Sequence, residues 1–431
     1  MMRITLSLAI AASALNAARA QTPADSLRLP ALRATALSQD PRAAQLELLA
    51  SQSALRLRDI NADRRPALSF ESQAQYQSDV AMIPLTLPGV TLPKPPHDTY
   101  DAHLNATQRI YDPASPSRRA VERAQTAESQ ARVLTALYGI TESVNTAFFT
   151  ALRSQAQIAE LRTTITDVEA QLTVADARVK AGTALPSESD ALRVELLRRK
   201  QSTAELVATR KAAIAILSDL VGQPIDPSTP LSAPQFSTEV ASASAAADLR
   251  ARPEYQQFDK SRDVLARTSD ALSSQIKPSV AAFGRLGYGR PGLNPLSDKF
   301  DSYWLTGIRL QWSPWNWGVT TRDRQINSLQ RGIVTSEEKA FTAALQRGVQ
   351  QDLASIDRLE TTLSEDDEII ALRERILTET RARYAEAVIT SADYVDRQTD
   401  VLAARLTRAS HRVELAQARA HLLTTLGIEV R

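Results

Sequence analysis

The chain contains no cysteine among its 431 residues. That excludes disulfides, thiol nucleophiles, thiolate metal ligands and a lipid-modified N-terminal cysteine. Glycine is scarce, at 13 residues, and aromatics make up 5%. Ala, Arg, Gln, Leu and Glu are plentiful instead, a balance that favours long helices over a compact α/β fold. The histidines are His97, His103, His411 and His421. No two stand at i,i+4 spacing and no acidic cluster completes a ligand set, so no metal or other cofactor is expected. A G-x-S-x-G elbow is missing. Gly287-Tyr-Gly289-Arg-Pro-Gly292 fits G-x-G-x-x-G, but it leads into Leu293-Asn294-Pro295 and not into a helix. A loop between strands accounts for it better than a dinucleotide site. The chain is not expected to be an enzyme.

Long apolar runs are missing as well, except near the start. Residues 1–20 form an expected signal peptide: Arg3, an apolar stretch from Ile4 to Leu15, then Ala18-Arg19-Ala20 before Gln21. The stretch is too short to anchor the chain in a bilayer. Its removal takes Arg3 and Arg19, lowering Lys+Arg from 51 to 49 against 49 Asp+Glu. A near-neutral mature chain gives no support to a nucleic-acid partner.

What is present is a duplication. Asp40-Pro41 answers Arg252-Pro253, and Pro66 answers Pro278. "HLNATQRIYDP" (103–113) returns as "GIRLQWSPWNW" (307–317), placing Leu104 over Ile308 and Tyr111 over Trp315. "RVKAGTALPSESDAL" (178–192) returns as "RYAEAVITSADYV" (383–395), with the first turn two residues longer. "LSDLVG", ending at Gly222, returns as "LTTLG", ending at Gly427. Self-similarity at a long period fixes architecture before any local motif does. Two tandem copies of one unit are expected: a first repeat over 21–222, a Pro- and Ser-rich linker over 223–246 and a second repeat over 247–431.

Each repeat follows the plan helix, strand, loop, strand, very long helix, turn, helix. Strands are expected at about 67–80, 99–112, 279–290 and 302–313. In the first, Leu68, Phe70, Ala74 and Tyr76 alternate with Ser69, Glu71, Gln73 and Gln75. In the second, Tyr100, Ala102, Leu104 and Ala106 alternate with Asp101, His103, Asn105 and Thr107. Val280, Ala282, Leu286 and Tyr288 share a face of the third, and Trp304, Ile308, Leu310 and Trp312 a face of the fourth. Period-2 alternation over such lengths fits membrane strands with a wet interior. Trp304, Trp312, Trp315 and Trp317, the four tryptophans, lie at or just beyond the fourth strand, where indoles favour a membrane interface.

Helices are expected at about 31–63, 115–181 and 188–221, then 247–276, 319–386 and 393–426. The two longest could each reach roughly 100 Å at ~1.5 Å per residue. In the first of these the apolar steps run Leu134, Leu137, Thr141, Val144, Phe148, Ala151, then Ile158, Leu161, Ile165, Val168, Leu172, Ala175 and Val179. In the second, Val349, Ile356, Leu363, Ile370, Leu377 and Tyr384 stand seven apart. A sustained period near 3.5 specifies left-handed supercoiling. Four strands cannot close a barrel, and open edges are not tolerated in lipid, so the chain must associate. Three copies would supply twelve strands.

The ordered set, with the "RV-x-AG" and "RY-x-x-A" turns and the closing "LxxLxG" and "LxxLG", resembles the TolC-like outer-membrane efflux proteins over almost the whole mature chain. The resemblance implies a mixed, mainly α fold. In it a homotrimer forms a 12-stranded transmembrane β-barrel, continued by an α-helical coiled-coil barrel into the periplasm. It further implies an efflux channel docked to a periplasmic adaptor (membrane fusion protein) and an inner-membrane transporter, exporting small molecules through the outer-membrane lipid. The same body would serve as the exit duct of type I protein secretion. A non-pore coiled-coil scaffold is the reading of a different class, and it leaves the alternating strands unexplained.

Asp393 and Asp396 lie on one face of the last helix, three residues apart. In a trimer they would form stacked acidic rings that favour cations and are blocked by multivalent ones. "DYVD" at 393–396 matches the family's paired acidic positions at the periplasmic gate. Tyr384 falls where the family has a latch tyrosine, and Asp190 near its acidic partner. Ala387 replaces the usual turn glycine, and Ile389 a position that is often basic. Thr390-x-x-Asp393 and Ser187-x-x-Asp190 also have capping-box form.

Overall fold

In the computed structural model the described residues are 26–81, 94–235 and 249–428. The expected signal at 1–20 and residues 236–246 of the linker lie outside them. The chain orders as α1 (Leu29–Gln39), a 3-10 turn (Pro41–Ala43), α2 (Ala44–Ala62), β1 (Ala67–Tyr76), β2 (Asp98–Tyr111), α3 (Ala114–Lys180) and α4 (Pro186–Val221). A second 3-10 turn (Leu249–Ala251) follows, then α5 (Pro253–Gln275), β3 (Ser279–Arg290), β4 (Asp301–Gln311), α6 (Val319–Ala385) and α7 (Ser391–Thr425).

Proline places several of these boundaries. The single helix expected over 31–63 is two, because Pro41 cannot continue α1 and disfavours helical backbone at Asp40. Asp40 turns this break into a start: its carboxylate accepts the Arg42 N–H at 2.8 Å. Pro253 opens α5 at its first position, where a missing N–H is harmless, so that helix starts later than the expected 247. Glycine closes α4 and α7. Gly222 and Gly427 both hold left-handed backbone, at φ 70° and 76°. Each donates to a carbonyl three residues back, and the next residue donates five back. This is the Schellman closure that frees a helix end from orphan carbonyls.

The four strands form one antiparallel sheet in the order β1-β2-β3-β4. Two strand ends differ from expectation. β1 stops at Tyr76, paired with Asp98, and the Gln77 N–H bonds to the His97 carbonyl as the chain leaves the sheet. β4 stops at Gln311, paired with Ser279, so Trp312 lies just past it and donates its indole N–H to the Ile276 carbonyl at 3.1 Å. A register shift between Arg109 and Tyr111 puts a bulge at the helix-joined end of β2.

The chain divides into two compact units, and each takes segments from both sequence repeats. Among the described residues, one comprises 26–33, 144–235 and 358–417; the other comprises 34–81, 94–143, 249–357 and 418–428 and holds the sheet. In the first, Val168, Ala175, Leu192 and Leu196 form a core against which Ile165, Leu172 and Val395 pack. In the second, Leu137, Ile140, Leu422 and Leu426 are buried, and Arg252 braces the end of α7. Its guanidinium donates to the Thr425 carbonyl at 2.8 Å and lies over the rings of Tyr138 and Phe341. Among the described residues no helix is long and apolar enough to cross a membrane.

The supercoil stripe of α3 is buried from Leu137 to Ala175 with few gaps, but Leu134 is exposed. On α6 the seven-residue series is only half-buried until Tyr384, which is buried. The stripe therefore has apolar surface left over in a single chain.

Candidate functional site

The first candidate surface is the sheet, built from cross-strand register. Phe70 pairs with Leu104, Leu104 with Leu286, and Leu286 with Trp304. The same face carries Leu68, Tyr76, Tyr100, Tyr288, Ile308 and Leu310, which are likewise large, apolar or aromatic, and exposed. Phe70 is 71% and Ile308 72% accessible. An exposed apolar band of this extent on a water-soluble surface would drive association.

The opposite face holds one polar network across all four strands. Glu71 accepts from Asn105 at 2.9 Å, and Asn105 accepts from Arg285 at 2.9 Å. Asp101 pairs with the His103 Nδ1 at 2.5 Å and accepts from the Tyr303 hydroxyl at 2.5 Å. Glycines make room for rings here. A Cβ on Gly287 would lie 2.4 Å from the Tyr303 ring, and one on Gly307 would lie 2.9 Å from Phe283. Gly287 and Gly289 are thus interior positions of β3 and Gly292 takes left-handed backbone just beyond it, so the G-x-G-x-x-G resemblance comes from a strand and its turn.

The tryptophans divide between the two ends of the sheet. Trp304 is near the loop-joined end of β4, where Phe300 also stacks 5.7 Å from Tyr288 and lies tilted 5.9 Å from Tyr100. Trp312, Trp315 and Trp317 follow the helix-joined end of β4, with Trp315 and Trp317 edge to face at 5.9 Å. Two aromatic groups therefore bound the apolar band, where the sequence pattern suggested one. The second had been spread over Tyr100, Tyr288 and Phe300, on three different segments.

The second candidate surface is the pair of turns in the other unit. Both turns are five residues long, 181–185 and 386–390, so the two-residue length difference read from the sequence does not exist. Gly182 at φ 70° is matched by Ala387 at φ 60°. Thr183 N–H bonds to the Arg178 carbonyl as Val388 N–H bonds to that of Arg383. In this register Glu188, and not Asp190, is the repeat counterpart of Asp393. Ala387 sits in backbone that disfavours any Cβ. Ala387→Gly should raise stability by on the order of 0.5–1 kcal/mol, since relief of left-handed strain exceeds the extra unfolded-state freedom of glycine. Urea unfolding checks this, and a lower midpoint would refute it.

Thr390 caps α7 by a reciprocal box. Asp393 accepts from the Thr390 hydroxyl at 2.8 Å and its N–H at 3.2 Å, and Asp393 N–H donates to Thr390 Oγ1 at 3.3 Å. These bonds hold the exposed Asp393 carboxyl below its ordinary value of 3.8. The matching box at Ser187 and Asp190 does not form. Pro186 takes the first helical position, Leu185 is the cap without a side-chain bond, and Ser187 lies inside the helix. Asp396 is exposed one turn beyond Asp393.

Tyr384 stacks on Tyr394 at 5.2 Å with rings 10° apart, and Arg178 lies 5.8 Å above its centre. Arg178 also donates to the Ala385 carbonyl at 3.2 Å, tying one turn to the other. Burial, then the negative charge of Glu188, pushes the Tyr384 hydroxyl above its ordinary value. Among the described residues Asp190 makes no hydrogen bond or ion pair with Tyr384; Glu188 is the acid acting on it.

Sequence reading missed a buried charge behind these turns. Arg199 is 2% and Glu195 6% accessible. Arg199 bonds Glu195 at 2.8 Å, the Thr164 carbonyl at 3.1 Å and Gln398 at 3.3 Å, joining α3, α4 and α7. The signal was its spacing, since Ser189, Leu192, Leu196 and Arg199 step by three and four along one stripe. Arg199→Met should destabilise by about 3–5 kcal/mol, because it strands the Glu195 carboxylate, and Glu195→Leu added to it should restore most of that. Equal stabilities of wild type and single variant in urea would show the pair to be idle.

No protein-family model matches the sequence, and neither does any curated protein sequence. Solved structures do match. A structure of CusC, described in terms of folding and transmembrane channel formation, aligns at TM-score 0.69 and 15% identity, covering 93% of this chain and 92% of that one. The outer membrane protein VceC of Vibrio cholerae aligns at 0.67 and 14%, covering 94% and 97%. The open MtrE outer membrane channel of Neisseria gonorrhoeae aligns at 0.66 and 16%, covering 94% and 90%. The chain has the TolC-like outer-membrane channel fold. Such low identities alongside near-complete coverage mean that the order of strands and helices is kept while the side chains differ.

Proposed function

We propose that this chain is the outer-membrane channel-tunnel of a tripartite efflux system. Three copies close a twelve-stranded β-barrel through the outer membrane and continue it as a helical barrel in the periplasm. A periplasmic adaptor and an inner-membrane transporter dock to that barrel and deliver small molecules to it. The observation that carries this reading is the sheet: one face apolar and exposed, the other polar and networked, with β1 and β4 each bonded on one edge only. In lipid those open edges must find partners, and strands of 10 to 14 residues suit a tilted crossing. The unfilled apolar stripe of α6 supports lateral association of helices in the same way. CusC and MtrE, with the same fold, are described as channels.

Within this reading Asp393 and Asp396 are the acidic rings of the periplasmic gate. Tyr384 belongs to its latch through the stacked pair with Tyr394, and Glu188 joins Asp190 as a candidate acidic partner. Trp304 marks the outer membrane interface and Trp312, Trp315 and Trp317 the inner one. The test is outer-membrane fractionation, heat-modifiable trimers on gels and single-channel conductance in planar bilayers. Recovery as a soluble monomer without conductance would leave only the coiled-coil scaffold.

A further inference from the structure

We propose that the cleft between α3, α4 and residues 227–230 is a binding site for a phosphate-type oxyanion. The cleft has a volume of about 520 Å³ and is lined by three cations, Arg162, Arg210 and Lys211, together with Gln155 and Ser228. Its floor is fixed. Arg210 donates to the Pro227 carbonyl at 2.5 Å, the Thr229 carbonyl at 2.6 Å and Gln155 Oε1 at 3.3 Å. Gln155 is itself held by the Leu231 backbone, donating at 3.0 Å and accepting at 2.9 Å.

What these cations lack is an acid. Elsewhere in this unit Arg193 pairs with Asp176, Arg199 with Glu195, Lys200 with Glu169 and Arg405 with Glu374. Among the described residues none of the cleft cations has a carboxylate within ion-pair distance. The acid that acts on Arg210 from further off is Asp226, and its carboxylate is occupied by the Ser228 N–H and hydroxyl, each at 2.7 Å. Arg210 Nε is buried without a hydrogen-bond partner. Burial, and then the charge of Arg162, hold the Arg210 guanidinium below its ordinary value. Repelling cations on a rigid floor are stabilised by an anion between them. Guanidinium groups match the paired oxygens of a phosphate, and an ammonium adds a point charge beside them.

The experiment is calorimetric titration of the detergent-purified full-length protein with sodium pyrophosphate at constant ionic strength, with 31P line broadening as a second readout. One site per chain is expected, weakening as salt is raised. Arg162→Gln with Lys211→Gln leaves the Arg210 scaffold in place and should weaken binding by on the order of tenfold to a hundredfold. Lys211→Glu alone, a charge reversal at an exposed position, should weaken it in the same direction. The unliganded variants should unfold at the wild-type midpoint. No binding to the wild type, or equal affinity in the variants, would overturn the assignment.

Discussion

Arginine at Leu104 or Ile308 should abolish assembly of the barrel, while arginine at Gln73 should leave it intact. Leu104 sits mid-face between Phe70 and Leu286, and Ile308 pairs with Ala282 on the edge strand. A charge placed there meets lipid at about 2–4 kcal/mol near the midplane, and in a trimer it recurs on every copy. Gln73 is on the opposite face, and among the described residues its side chain bonds Gln75 alone, at 2.8 Å. Asn105 is on that face as well, but it bridges Glu71 and Arg285, so arginine there would meet Arg285 and test the network instead. The measurement is heat-modifiable trimer in the outer-membrane fraction. If the Leu104 and Gln73 variants assemble alike, the faces have been assigned wrongly and the sheet does not cross a membrane.

The faces were legible because a strand alternates with period two, so a single register fixes every side chain. Leu68, Phe70, Leu104, Leu286 and Ile308 all fall where alternation put them. The long helices were legible for a similar reason: few prolines interrupt an apolar step of three and four. The turns were not. Gly182-Thr-Ala-Leu-Pro and Ala387-Val-Ile-Thr look unequal, and only backbone geometry shows Ala387 accepting the left-handed conformation that Gly182 adopts freely. Misplacing that register also made a cap of Ser187, which lies inside the helix. Arg199 was overlooked because arginine is ordinarily read as surface, even when its spacing continues a buried stripe.

Asp393 is where the two explanations of one residue meet. The capping box keeps its carboxylate ionised, since the Thr390 hydrogen bonds lower its proton affinity. A lowered folded-state value means that this stabilisation is complete above 3.8 and is lost as the pH falls through the folded value below it. At neutral pH the cap therefore supplies the charge that a gate would use. Capping, which the Thr390 bonds show, and the proposed gating are compatible roles for one group.

Replacing Asp393 and Asp396 together by alanine should weaken trivalent-cation block of single-channel current by an order of magnitude or more. In the proposed trimer this removes both acidic rings from the narrow entrance. Charges confined there interact more strongly than the bulk-water value of about 1 kcal/mol at 4 Å. Cation preference should fall with the block. The two single variants separate the roles. Asp396→Ala has no described cap to lose and should reduce block at unchanged stability. Asp393→Ala should reduce block and also lower helix stability by roughly 0.5–2 kcal/mol, the usual loss for a cap. Asp393→Asn keeps an acceptor for Thr390 while removing the charge, so it should lower block with most of the stability retained. If a well-folded double variant showed wild-type block, these acids would be helix caps alone, and the gate would have to be sought at Glu188 and the Tyr384–Tyr394 stack.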